Sequence, residues 1–291
     1  MKLEDWVKIH TESGFDISQT NGHYFLHKNR INYSFPELIA MPIDKKLVSL
    51  LKWKYPVTVI NTGHRIRNTY EYILQTSDYR LETFRKKTRT TIRKSLGCCE
   101  FKKPALDDLL QSGIRINRQT LRLQERHDKF LTDPVLWEKY ITFCYGHEDV
   151  EIIGAYHENK MIGYAIAYRL GDRHYFHLQH IDRDYATFYP MSGLMYTLIN
   201  QLVARYGRIT ISDGMESFNP IPSLNRFKRY MGFERVPVTR VYVLHPLIVL
   251  FLQPVIWLFV GLMGRRNTHN SLMRRMINLF YGHRVLHRIA V

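Results

Sequence analysis

The chain is short of cysteine, of acid and of long apolar runs. It holds three cysteines, the adjacent Cys98 and Cys99 and a solitary Cys144. An odd count without Cys/His ligand spacing argues against a disulfide framework and predicts no metal and a reducing compartment. Residues 1–5 lack the basic-then-apolar pattern of a secretory signal, so a cytoplasmic location is expected. Acidic residues number 26 against 42 Lys and Arg, a formal charge of +16. From Arg235 to Val291 there is no acid at all, against eight arginines. Such a surplus points to an anionic partner: nucleic acid, a polyphosphate donor or anionic lipid. No internal repeat or low-complexity linker is present, which excludes a solenoid or a long tether. The longest apolar run, residues 247–263, is interrupted by Gln253 and Pro254 and falls short of the ~20 residues that cross a bilayer.

What is present supports a folded core, since 45% of the residues are hydrophobic. Within residues 1–80, Tyr24-Phe25-Leu26-His27, Asn32-Tyr33-Ser34-Phe35, Val57-Thr58-Val59-Ile60 and Tyr70-Glu71-Tyr72-Ile73-Leu74 read as short strands. Residues 80–94 carry seven Lys or Arg against one acid, Glu82. Phe84, Thr88 and Ile92 recur there at helical spacing, predicting a basic helix with one buried face. Glu100-Phe101-Lys102 reads as a strand, and residues 105–127 as a helix. Asp133 followed by Pro134 reads as the cap and first turn of another, with Trp137, Ile141 and Cys144 inward. Three strands follow over residues 150–181, then a helix between Pro190 and Gly207. A strand at 209–212, a helix at 224–230 and strands over 233–244 close the series.

That order, β-α-α-β-β-β-α-β-α-β, together with Gly232-Phe233 after the last helix, resembles the GNAT acyltransferase core over residues 98–244. The pair Phe227-Lys228 resembles the Fem-type aminoacyltransferases. Phe84-Arg85-Lys86-Lys87-Thr88-Arg89-Thr90-Thr91-Ile92-Arg93-Lys94 resembles the basic entry of Fem-like and related uncharacterised, BioF2-like GNAT proteins. The resemblance implies an α+β fold with a mixed, mostly antiparallel sheet flanked by helices. It divides the chain into a β-rich unit with a basic helix (1–97), the acyltransferase core (98–244) and an apolar, then basic, helical tail (245–291). Fem-type proteins carry two full GNAT-like domains, for which residues 1–97 are too few.

The implied chemistry moves an acyl group from an activated donor to an amine without a covalent enzyme intermediate. Lys228 stands where many acetyl-CoA enzymes have a tyrosine, and an ammonium there can stabilise a developing oxyanion. Asp213 and His180, at strand ends, are candidate bases, with Asp182 and Glu216 nearby. The helix start at Met191, Ser192 and Gly193, with Tyr189 before it and Phe227 opposite, is the candidate donor-phosphate site. The Gln/Arg-x-x-Gly-x-Gly/Ala loop of acetyl-CoA enzymes is absent there. Arg89, Arg93, Lys94 and Arg226 are candidate anion contacts. The expected donor is acyl-CoA, acetyl or longer, with aminoacyl-tRNA as the alternative.

Two other classes stay open: a nucleic-acid-binding module, read from the charge, and an inert membrane-surface scaffold on a GNAT fold. The tail is expected to lie on the anionic inner face of the cell membrane, making the protein peripheral there. Its alternatives are a helix packed on the core and a true membrane span.

Overall fold

The structure, a computed structural model, describes residues 1–28, 30–64, 66–216, 221–251, 254 and 271–289, with side chains of 271–278 left aside. In chain order the elements are α1 (Leu3–Glu12), β1 (Ile17–Thr20), β2 (His23–Lys28), β3 (Ile31–Ser34), α2 (Lys45–Lys54), β4 (Val57–Thr62) and β5 (Thr69–Thr76). There follow α3 (Lys86–Cys98), β6 (Glu100–Lys102), α4 (Ile114–Leu123), α5 (Pro134–Gly146), β7 (Val150–His157), β8 (Lys160–Leu170) and β9 (Arg173–Ile181). The last are α6 (Pro190–Tyr206), β10 (Ile209–Met215), α7 (Pro222–Tyr230), β11 (Glu234–Leu244) and α8 (Ser271–Ile289). This is an α+β fold of mostly antiparallel strands with flanking helices, as the sequence predicts.

The chain forms two compact units that are interleaved in sequence. The first comprises Met1–Phe15, Tyr72–Gly214 and Ser223–Glu234; the second comprises Asp16–Glu71, Met215–Pro222 and Arg235–Val291. These boundaries differ from a linear division at residues 97 and 244. Strand pairing is the reason: β11 lies antiparallel to β4, Val241 opposite Ile60, so the end of the expected core completes the sheet of the N-terminal strands.

In the first unit β6, β7, β8 and β9 run antiparallel in sequence order. Strand β10 then joins β9 in parallel through the crossover helix α6. The core gathers Leu194, Leu198 and Leu202 of α6 with Ile153, Ile162, Ala165, Ile211 and Phe233. Phe84, Thr88 and Ile92 are all buried, as their spacing predicts. Asp133 accepts from the Val135 and Leu136 amides, capping α5. The single helix expected over 105–127 is broken. Residues Leu109–Gly113 form a π-helical turn before α4, and Trp137 Nε1 donates to the carbonyl of Leu109 at 2.9 Å. A π-turn frees a carbonyl from the helical ladder, and here the indole takes it. Helix α1 belongs to this unit, with Trp6 stacked on Tyr168 at 3.7 Å.

In the second unit β1, β2 and β3 run antiparallel, and β3 joins β4 in parallel. Asp44 caps α2 through the Leu47 amide, and Leu47 and Leu51 enter the core. The terminal helix α8 packs there too. Val285 and Leu286 are buried with Phe25, Ile60, Val241 and Val243. A Cβ at Gly282 would sit 2.1 Å from the Tyr242 ring, so glycine is what lets α8 lie against β11. The described end of the tail is thus a packed helix rather than one whose apolar face is left for lipid. Most of the apolar run at 247–263 lies outside the described residues. Among the described residues no helix is long and apolar enough to cross a membrane.

Candidate active site

Strands β9 and β10 pair only from Arg173↔Thr210 to Tyr175↔Ser212, although each runs on beyond that point. Their carboxyl ends therefore part, and the gap between parting parallel strands is where open α/β sheets take ligands. Side chains bridge this gap. Gln179 of β9 donates Nε2–H to Asp213 Oδ1 of β10 at 2.5 Å. From α7, Lys228 Nζ donates to the Asp213 carbonyl and stands 3.3 Å from Asp213 Oδ2. The same ammonium lies 4.9 Å from the centre of the Tyr72 ring, within cation–π range. Both Lys228 and Asp213 are buried, each with less than a tenth of its side chain open. Burial lifts the Asp213 carboxyl above its ordinary range, while Lys228 and Gln179 pull it partly back.

The end of α7 fixes the lysine. Phe233 N–H bonds to the Lys228 carbonyl and Gly232 N–H to the Arg229 carbonyl, with Gly232 at φ +88°. This is a Schellman cap, and its left-handed residue is what the Gly-Phe signature supplies. Tyr79 Oη donates to the Met231 carbonyl at 2.5 Å, tying the cap to the core. Burial and the nearby Asp213 carboxylate both keep the Tyr79 phenol protonated. Phe227 is half-buried against the same core, whereas Arg226 is exposed and does not join the pair.

The start of α6 is arranged differently from a glycine-rich phosphate loop. Tyr189 is left-handed at φ +55°, and Pro190 contributes no N–H. The Ser192 and Gly193 amides both turn onto the Tyr189 carbonyl, at 2.9 and 3.5 Å. Of the first turn, Met191 keeps the amide that no backbone carbonyl takes. Gly193 is a packing glycine: a Cβ there would lie 2.1 Å from Phe101 Cζ and 2.5 Å from Ser95 Oγ. Ser95 Oγ donates to the Tyr189 carbonyl at 2.9 Å, and Lys94 Nζ lies 5.2 Å from the Tyr189 ring centre. Helix α3 thus borders this turn. No ion pair holds Arg85, Lys86, Lys87, Arg89, Arg93 or Lys94 among the described residues; Arg89 is half-buried and Arg93 exposed.

His180 is placed elsewhere. It follows Gln179 in β9, so the two side chains leave opposite faces of the strand. His180 Nδ1–H donates to Asn117 Oδ1 of α4 at 2.6 Å, an oxygen that also accepts from Tyr164 Oη. That bond fixes the tautomer and leaves Nε2 as the acceptor. Burial, helped by Arg126 and opposed by Asp128, lowers its pKa to about 4, so the ring is neutral at pH 7. Asp182 is committed to Arg115 at 2.5 Å and Gln119 at 3.2 Å. A surface depression of about 490 Å³ lies at residues 96–100, 156, 158 and 159. Glu100 and Glu158 in its lining disfavour an anionic donor there.

The sequence of residues 80–229, just over half of the chain, matches the family described as acetyltransferase (GNAT) domain. The chain belongs to the GNAT acetyltransferase-domain family. Among solved structures, FemX aligns with a TM-score of 0.57 at 11% identity, over 84% of this chain and 92% of its own. The C-terminal DUF2156 domain of a putative lysylphosphatidylglycerol synthetase from Agrobacterium fabrum aligns with a TM-score of 0.53 at 11% identity, over 88% of this chain and 96% of its own. At this identity the likeness is one of fold. No curated protein matches the sequence. The Fem-type resemblance read from Phe227-Lys228 accordingly has a counterpart in the fold, and GNAT membership supports acyl transfer as the class of reaction.

Of the GNAT residues named from sequence, Lys228 and Asp213 come together, with Phe227 beside them. Ser192, Gly193 and Tyr189 are joined to Lys94 and α3. His180 and Arg226 stand apart from the pair. Gln179, Tyr72 and Tyr79 were not foreseen. Gln179, 34 residues from Asp213, carries one sequence sign: it precedes His180 at the end of a strand.

Proposed function

We propose that the protein transfers an acyl group from an activated donor to an amine by direct attack. The observation that carries this is the buried Lys228–Asp213 pair bridging the parted ends of β9 and β10 in a GNAT chain. The amine lone pair attacks the donor carbonyl carbon, and the carbonyl oxygen takes the negative charge. Lys228 stabilises that oxyanion from a low-dielectric position, where a fixed cation acts more strongly than in water. The C–S or C–O bond then breaks and the leaving group departs with its electron pair. The attacking nitrogen loses its proton to Asp213, whose raised pKa makes it a better base than an exposed carboxylate. Gln179 orients the carboxylate. His180, neutral and turned to the other face, is not the base in this scheme.

The donor's phosphates are held mainly by side chains. The turn at Tyr189–Gly193 has too few unused amides for a backbone cradle, while Arg89, Arg93 and Lys94 on the bordering helix have no acidic partner among the described residues. This favours a donor gripped by cations, either acyl-CoA or the acceptor end of an aminoacyl-tRNA. The reaction runs in the cytoplasm, with the protein in contact with the inner face of the membrane.

Thermal stabilisation by acyl-CoAs of several lengths, by free CoA and by aminoacyl-tRNA, read beside amide formation, tests this. A donor that stabilises both the natural chain and Lys228→Met but turns over only on the natural chain is the expected result. If no donor of either class stabilises the protein, the enzymatic reading fails. Tight, salt-sensitive RNA binding without turnover would favour a nucleic-acid-binding module instead.

A further inference from the structure

The second unit leaves several large apolar side chains in solvent, on two segments that touch. Helix α2 turns Leu47 and Leu51 inward, and Leu50 and Trp53 outward, Trp53 being 62% exposed. Just past β11, His245 meets the Trp53 ring edge-on with centroids 5.5 Å apart. Leu247, Leu250 and Phe251 follow and are exposed, Phe251 by 68%, although Val249 between them packs on the core. The sequence beyond Phe251 stays apolar to Met263 apart from Gln253 and Pro254.

The charge carried by helix α2 and by the chain after β11 is predominantly positive. Helix α2 carries Lys45, Lys46, Lys52 and Lys54, none with an acidic partner among the described residues; Lys52 and Lys54 lie over the rings of Trp53 and Tyr55. Its one flanking acid, Asp44, is occupied with the Leu47 amide at 2.6 Å. The chain from Arg235 onward supplies no acid either. An aromatic and aliphatic cluster bordered by unpaired lysines is the pattern of a face that enters an anionic lipid boundary. A second copy of this +16 chain would bring lysine against lysine, so self-association is the poorer fit.

We propose that Leu50, Trp53, Leu247, Leu250 and Phe251 form a docking surface for an anionic membrane, with the lysines of α2 facing lipid phosphates. The surface is independent of the acyl-transfer reading. The full chain should sediment with vesicles of phosphatidylcholine plus phosphatidylglycerol, and much less with phosphatidylcholine alone. Leu50→Ser/Trp53→Ser and, separately, Leu247→Ser/Phe251→Ser should each weaken binding by about a hundredfold or more, since each removes two exposed side chains that would gain roughly 1.5–3 kcal/mol apiece on entering lipid. Replacing all four lysines by glutamine should weaken it by roughly a hundredfold or more, at about a tenfold loss or less per charge, and raised salt should do the same. Because these residues are exposed, circular dichroism should be unchanged. Lys228→Met should bind vesicles normally, which separates failure of this surface from failure of the catalytic reading. Absence of binding to both vesicle types overturns the proposal. So does binding that survives both serine pairs, or loss of a dimer rather than of lipid binding in those variants.

Discussion

Replacing Lys228 by Met tests the pair at the heart of the site. The substitution keeps the aliphatic stem and removes the ammonium, leaving the buried Asp213 with Gln179 as its main partner. Removing one partner of a buried ion pair costs about 3–5 kcal/mol. A separation of 3.3 Å agrees with that scale, at about 5 kcal/mol of gross attraction for an effective dielectric of about 20. Asp213 can escape part of the cost by taking a proton. Its native pKa is already raised by burial, so the native state holds that proton more tightly than the unfolded chain does. Stability from this group therefore falls as pH rises from the unfolded value near 3.9 through the raised native value. Loss of Lys228 lifts the upper end of that window, so the variant's deficit should grow from pH 5 to pH 8. Urea denaturation across this range measures it. Adding Asp213→Asn should recover most of the stability, giving a coupling of about 2 kcal/mol or more. Turnover should stay depressed by about a hundredfold or more in both variants, the scale of one oxyanion donor. A pH-independent deficit, or full turnover in Lys228→Met, would refute the reasoning.

Three further outcomes are expected. Gly193→Ala should cost about 1–3 kcal/mol in urea denaturation by forcing α6 off Phe101, and Phe101→Ala in the same chain should return part of it. The His180 pKa of about 4 against its ordinary 6.5 means that stability present above pH 6.5 is lost as pH falls toward 4, by about 3 kcal/mol; His180→Gln should flatten the stability curve in that window without changing the pH dependence above 7. Neutralising Arg89, Arg93 and Lys94 together should raise KM for the donor and reduce its salt dependence while leaving kcat nearly unchanged.

Local chemistry made much of this fold readable. Asp133-Pro134, Pro190 with Gly207, and Gly232 each mark a helix end through the backbone, and the Phe84, Thr88, Ile92 row marks a buried face. Lys228 and Asp213 could both be named because each sits at an element end beside a recognisable turn. Their partnership could not, because it depends on α7 returning across β10. Helices α1 and α2 are hard to read in the sequence because short apolar spacing such as Leu47 and Leu51 is outweighed by the strands around it; Asp44, the cap of α2, is the sign the sequence offers. His180 looked like a base because strand ends face clefts, but the face it leaves by is fixed by Asn117, 63 residues away. The division at 97 and 244 rests on the linear order of elements that resembles a GNAT core, whereas the sheet follows pairing between β4 and β11.

The interleaving of the two units bears on how the chain can be made and cut. Six stretches alternate between the units, so the backbone crosses from one to the other five times. No single cleavage releases either unit whole, and a fragment ending at 97 or beginning at 98 takes pieces of both. During synthesis the first unit waits for Phe233, and the second waits for Val285 and Leu286 to reach its core. Neither can close early, so a nascent chain halted upstream of the last helix would leave the apolar face of β4 and β11 without its cover and in need of a chaperone.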